Sequence, residues 1–174
     1  MIIDVEGAKF SFSPDWSAFK YDDSAFYRDV FSRVHDNLGA VDIVAIERDL
    51  HTGEDVRVVL IEVKDYRHPT AGGKTPSQLV DAVLRKVTAT LSGLSVAARR
   101  ADNAAEKGLA VRAQTSARLE VILHCENPPT PIVDPSELVI KLRQRLQPIV
   151  DSVNVGSEHR PRGTWSVRMP DLGI

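Results

Sequence analysis

Three charged residues in apolar surroundings offer the first chemistry in this chain. Asp42 stands inside "AVDIVAI", and Glu62 and Lys64 close the run "VVLIEVK". Glu62 and Lys64 are at i and i+2, so on a β-strand both side chains point to one face. A charge on a buried face is costly unless it is paired or binds a metal. A frayed strand end, with its charges in water, would explain Glu62 and Lys64. It would not explain why Asp42 meets them.

Whether they meet depends on the connection between the two runs. "DLHTGED" is a polar, Gly-containing turn between β-branched segments, which predicts a hairpin pairing about 41–48 with 56–64. With His51, Thr52 and Gly53 as the loop and Gly53 left-handed, position 50 pairs with 54 and Asp42 falls opposite Glu62. A slip of one residue would break that pairing. Val44, Ile46, Val58 and Leu60 share the face, so the charges adjoin apolar packing.

Facing carboxylates repel, which raises one pKa unless a cation sits between them. Mg²⁺ prefers oxygen ligands and keeps several waters, which suits a site with few carboxylates. A lysine beside it can orient or deprotonate water, or neutralise charge developing on a phosphate. The constellation suits phosphodiester hydrolysis. The alternative is a structural salt-bridge cluster in the hairpin.

Around the hairpin the sequence predicts the supporting elements. A helix from about Ser24 to Asn37 carries the stripe Phe26, Tyr27, Val30, Phe31 and Val34. A longer one runs from about Pro76 past Leu94, with Leu79, Val80, Val83, Leu84, Val87, Leu91 and Leu94 inward. "ARLEVILHCE" is a strand; "DPSELVIKLRQRLQPIV" is a helix with Asp134 as N-cap, Pro135 at N1 and Glu137 at N3. "MIIDV", "AKFSFS" and "GTWSVRMP" read as short strands, and "SPDWSAFKYD" as irregular. The order gives an α/β layer fold, a mixed central β-sheet covered by helices, in a single domain 1–174.

Composition narrows the partners. A formal net charge of −2 gives no global basic field, so nucleic acid would be held by local patches or metal ions. The single cysteine, Cys125, excludes an internal disulfide and a cysteine-rich zinc site, and reads as a small buried hydrophobe. No run of about 20 apolar residues and no basic leader is present, so the expectation is a cytoplasmic protein with no membrane partner.

Asp42, nineteen intervening residues and Glu62-Val63-Lys64 together resemble the signature of the PD-(D/E)xK nuclease superfamily. That group includes restriction endonucleases and Holliday-junction resolvases. The resemblance covers about residues 22–125, chiefly 41–65, with 134–170 as a C-terminal helix–strand extension. It implies a restriction-endonuclease-like core and a metal-dependent phosphodiester hydrolase, foremost a DNA endonuclease. Asp42 and Glu62 would then bind Mg²⁺ or Mn²⁺, the Val63 carbonyl would add a ligand, and Lys64 would be catalytic.

Members of the family commonly carry an acidic residue on the first helix. No Glu lies there in this chain, which leaves Asp23 as the third candidate. Val41 replaces the signature proline, and only "NLGA" separates the first helix from the Asp strand, so "AKFSFS" is expected to supply a missing strand. Lys74 in "AGGKT", and Arg160 and Arg162 beside His159 in "HRPRG", are the candidate phosphate contacts. Gln78 projects away from the apolar stripe of its helix. Relatives that cut both strands need two sites, which suggests a homodimer or a larger complex. The rival reading is a non-enzymatic nucleic-acid-binding or protein-interaction module on the same fold.

Overall fold

Two strands organise the molecule: β4 (Ile43–Arg48) and β5 (Asp55–Asp65) form an antiparallel hairpin with Ile43 opposite Ile61 and Val44 opposite Leu60. The computed structural model describes residues 1–36, 38–67, 75–132 and 134–171. Gly53 has φ +74°, as the turn requires of it. The turn itself is one residue longer than expected. The Asp49 N–H donates to the Glu54 carbonyl, and the Asp49 carboxylate accepts from the His51 and Thr52 N–H groups at 2.7 and 3.1 Å. A bulge follows, because Arg48 faces Asp55 while Glu47 faces Arg57, leaving Val56 as the extra residue. The bulge restores the register that places Asp42 across from Glu62.

β5 is also the hub of a five-stranded mixed sheet in the order β3-β4-β5-β6-β7. β3 (Trp16–Lys20) pairs antiparallel with β4, while β6 (Leu119–Glu126) and β7 (Ser152–Gly156) continue parallel from β5. Residues 16–20 were expected to be irregular, and "AKFSFS" to fill the place that β3 takes. Instead β1 (Ile2–Val5), β2 (Ala8–Ser11) and β8 (Ser166–Arg168) form a separate three-stranded sheet. That small sheet covers one face of the large one through Phe10, Phe12, Trp165 and Val167, which pack with Trp16, Ile43, Ile61 and Val63.

Helices cover the other face. α2 (Pro76–Arg100) buries Leu79, Val80, Val83, Val87 and Leu94 against Val44, Leu60 and Leu123. Gln78 is exposed, away from the apolar stripe as expected, and closes a capping box with Thr75, each side chain accepting from the other's N–H. α3 (Ala104–Thr115) is a separate helix that starts where the Asn103 side chain accepts from Ala105 and Glu106. α4 (Pro135–Leu146) begins at Asp134 and buries Leu138, Leu142 and Leu146 in the same core. Ile149 lies past its end and is exposed.

The first helix is much shorter than predicted. α1 spans Ala25–Asp29 and is followed by a 3₁₀ turn at Phe31–Arg33, with Val30 and Val34 exposed. Its N-terminus is capped from outside: the Glu106 carboxylate of α3 accepts from the N–H groups of Ala25 and Phe26 at 2.7 and 2.9 Å. Among the described residues no helix is long and apolar enough to cross a membrane.

Candidate carboxylate–lysine site

Asp42 sits where β4 parts from its partner. Its backbone is held on both sides, because its carbonyl accepts from the Tyr21 N–H at 2.9 Å and the preceding Val41 N–H donates to the buried Thr90 hydroxyl of α2 at 3.0 Å. The side chain then replaces the next rung of the sheet: Asp42 Oδ2 accepts from the Val63 N–H at 2.6 Å. One carboxylate oxygen is therefore structural, and Oδ1 remains for the site.

Glu62 is 1% exposed and Asp42 9%. Two ammonium groups meet Glu62: Lys64 Nζ lies 2.5 Å from its Oε1, and Lys86 Nζ lies 2.7 Å from Oε1 and 2.9 Å from Oε2. Lys86 Nζ is also 3.9 Å from Asp42 Oδ1, so one lysine spans both carboxylates. Lys64 additionally donates to the Val63 carbonyl at 2.9 Å, the oxygen expected to serve as a metal ligand. Burial, and then the charge of Asp42, push the Glu62 pKa up against the pull of the two lysines. Burial alone would lower the Lys64 pKa, but Glu62 and Asp42 raise it overall, so this ammonium stays charged.

The structure thus brings Asp42, Glu62 and Lys64 together and adds Lys86 and Asp22, which were not foreseen. Asp22 follows Tyr21, the residue bonded to the Asp42 backbone. Burial and then the Asp42 charge raise its pKa, and its Oδ1 is buried without a hydrogen-bond partner. Asp23, the candidate third acid, turns outward to Lys20 at 2.8 Å and is 62% exposed. Lys86 left a trace in the sequence. It lies three residues after Val83 and four before Thr90, so a lysine interrupts a stripe that is otherwise buried.

The remaining candidates scatter. Lys74 lies outside the described residues. His159, Arg160 and Arg162 are exposed in the loop after β7, with Arg162 Nε donating to the edge carbonyl of Val155 at 3.0 Å. That loop leaves the C-terminal end of β7, and Glu62 and Lys64 are at the C-terminal end of the parallel strand β5, so both emerge on one edge of the sheet. Cys125 faces the lysine side, and burial pushes its thiol up to about 12. His124 and Glu126 face the opposite way, paired to each other at 2.9 Å.

Asp42 Oδ1 and the two Glu62 oxygens would suit a hard divalent cation of the Mg²⁺ type, and Asp22, near enough to feel the charges of Asp42 and Lys86, leaves a buried oxygen without a hydrogen-bond partner. The donor set is sparse. Among the described residues no three His, Cys, Asp or Glu side chains gather as a ready-made metal cluster. Comparison with family models, with curated proteins and with solved structures finds no match for this chain.

Proposed function

We propose that this chain is a metal-dependent phosphodiester hydrolase of the PD-(D/E)xK type, with a restriction-endonuclease-like core and DNA as its foremost substrate. One observation carries the reading. Asp42 and Glu62 are buried side by side at a sheet end, with Lys64 on the same face, in an α/β setting of hairpin, flanking helix and parallel neighbour strand. A divalent ion held by Asp42 and Glu62 would supply Lewis-acid charge to a phosphodiester. Lys64, fixed between Glu62 and the Val63 carbonyl, presents an ammonium that orients a water or meets negative charge developing on the phosphate. Arg160 and Arg162, on the loop at the same sheet edge, would follow the nucleic-acid backbone, as would Lys74. Cleavage of both strands of a duplex would require two copies of the site, hence a homodimer.

The test is cleavage of single-stranded, duplex and branched DNA, and of RNA, by purified protein with Mg²⁺ or Mn²⁺. Activity that disappears in Glu62→Gln supports the proposal. No cleavage of any form by the wild type defeats it. A second reading, a non-enzymatic module for nucleic-acid or protein interaction, is favoured by one feature: the Lys86 ammonium already forms ion pairs with both carboxylates. Absence of ion binding at millimolar Mg²⁺ would select this second reading.

A further inference from the structure

We infer that Lys86 is the resident cation of the carboxylate site, and that a divalent ion enters only by displacing its ammonium. The inference rests on the metal-dependent reading above and adds to it a gate built into α2. Lys86 Nζ stands 2.7 and 2.9 Å from the two oxygens of Glu62 and 3.9 Å from Asp42 Oδ1. These are the oxygens that an ion bridging Asp42 and Glu62 would use. Lys64 also stands on would-be ligand oxygens, Glu62 Oε1 and the Val63 carbonyl, but it comes from the strand itself, whereas Lys86 spans both carboxylates from the helix.

The two lysines also differ in what holds them. Lys86 reaches the site from a helix on a four-carbon stem, and its head is a compact, strongly hydrated point charge that can exchange partners. The stem lies across Gly39, where an added Cβ would stand 3.3 Å from Lys86 Cγ and 3.6 Å from Cε. Gly39 in turn lines a cleft of about 450 Å³ with Leu38, Arg85 and Ala89. The cleft, with Asp36 and Arg85 both on its wall, borders the stem at Gly39, and a displaced ammonium would emerge there toward a phosphate of an incoming strand. Displacement would couple the two ligands, since a polyanion that draws Lys86 out leaves the carboxylates free for a cation, and a bound cation frees Lys86 for the polyanion.

Mn²⁺ titration by isothermal calorimetry of the full chain separates the possibilities, with wild type, Lys86→Met, and Lys86→Met combined with Asp42→Asn. Lys86→Met keeps the apolar stem and removes the competing charge. It should bind Mn²⁺ at least about tenfold more tightly than wild type, with binding lost in the double variant. Equal affinities in wild type and Lys86→Met overturn the inference, while loss of binding in the double variant would leave the metal reading standing. No binding by any of the three overturns both. If Lys86→Met fails to fold by its thermal melt, Lys86→Gln, uncharged but still a hydrogen-bond donor to Glu62, carries the same comparison.

Discussion

The two ends of the β4–β5 hairpin both carry charged clusters, and they are built on opposite plans. At the turn end the cations are arginines. Arg112 grips both oxygens of Asp55 at 2.7 and 2.8 Å, and Arg48 joins at 3.4 Å. Arg57 reaches Glu47 at 2.5 Å and Glu120 at 3.1 Å while its guanidinium lies 5.2 Å over the Trp16 ring. At the other end the cations are lysines, the carboxylates face each other, and a third acid, Asp22, leaves an oxygen unpartnered. Planar guanidinium forks lock geometry, whereas ammonium groups are point charges on flexible stems. The acids respond accordingly: Arg112 lowers the Asp55 pKa, while burial and Asp42 raise that of Glu62. One cluster fastens the sheet, and the other stores electrostatic tension of the kind that functional sites need.

The comparison breaks most easily through Lys64. If the site end is catalytic, Lys64→Ala should lower the cleavage rate about 100-fold or more while calorimetry still detects Mn²⁺ binding. An unchanged rate would reduce that end to a second fastening. Next in size is Asp55→Ala, which leaves Arg112 without its carboxylate partner and should cost about 2 kcal/mol in urea denaturation. Cleavage per folded molecule should not change, because Asp55 takes no part in the site.

The dependence of stability on pH should also separate the two ends, in opposite directions. The Asp55 pKa is depressed on folding, so its contribution is present above its unfolded value and is lost as pH falls through the folded value. Glu62 is raised on folding, so its ionisation costs stability as pH rises from its unfolded value through its folded one. Urea titrations across the acid range should therefore show Asp55→Asn losing stability relative to wild type as pH rises, and Glu62→Gln gaining it. Curves that move together would mean that the ends do not differ. The smallest effect is expected at Cys125, next to Lys64 across β5 and β6. Its thiol, pushed up to about 12 by burial, should resist alkylation at neutral pH in the native state, and Cys125→Ala should cost about 1 kcal/mol.

Which parts of this were legible in the sequence follows from the range of each interaction. The hairpin register could be read because Gly53 and the alternation of Val44, Ile46, Val58 and Leu60 are local signals, although the actual turn needed a bulge at Val56 to keep it. Asp134 and Pro135 announced α4 for the same reason. β3 and the short α1 were hidden because long-range contacts decide them. Residues 16–20 become a strand by pairing with β4, and α1 is capped by Glu106 from a distant helix. Lys86 and Asp22 escaped because one is a helix residue reaching a sheet and the other is placed by a backbone bond from Tyr21 to Asp42. A strand pattern predicts which residues share its own face, but not what a neighbouring element sends to it.

Asp42 holds a last consequence for how such a site is tested. Its Oδ2 takes the place of a backbone carbonyl for Val63, so removing the side chain frees an amide in the strand that carries Glu62 and Lys64. An alanine here would shift the two neighbours as well as delete a charge, and a lost activity would be credited to chemistry when it was owed to geometry. An asparagine whose amide oxygen faces Val63 keeps the strand spliced and replaces only the charged oxygen that faces Lys86, with an NH2 group. At this position the isosteric amide, rather than the smaller residue, is the informative substitution.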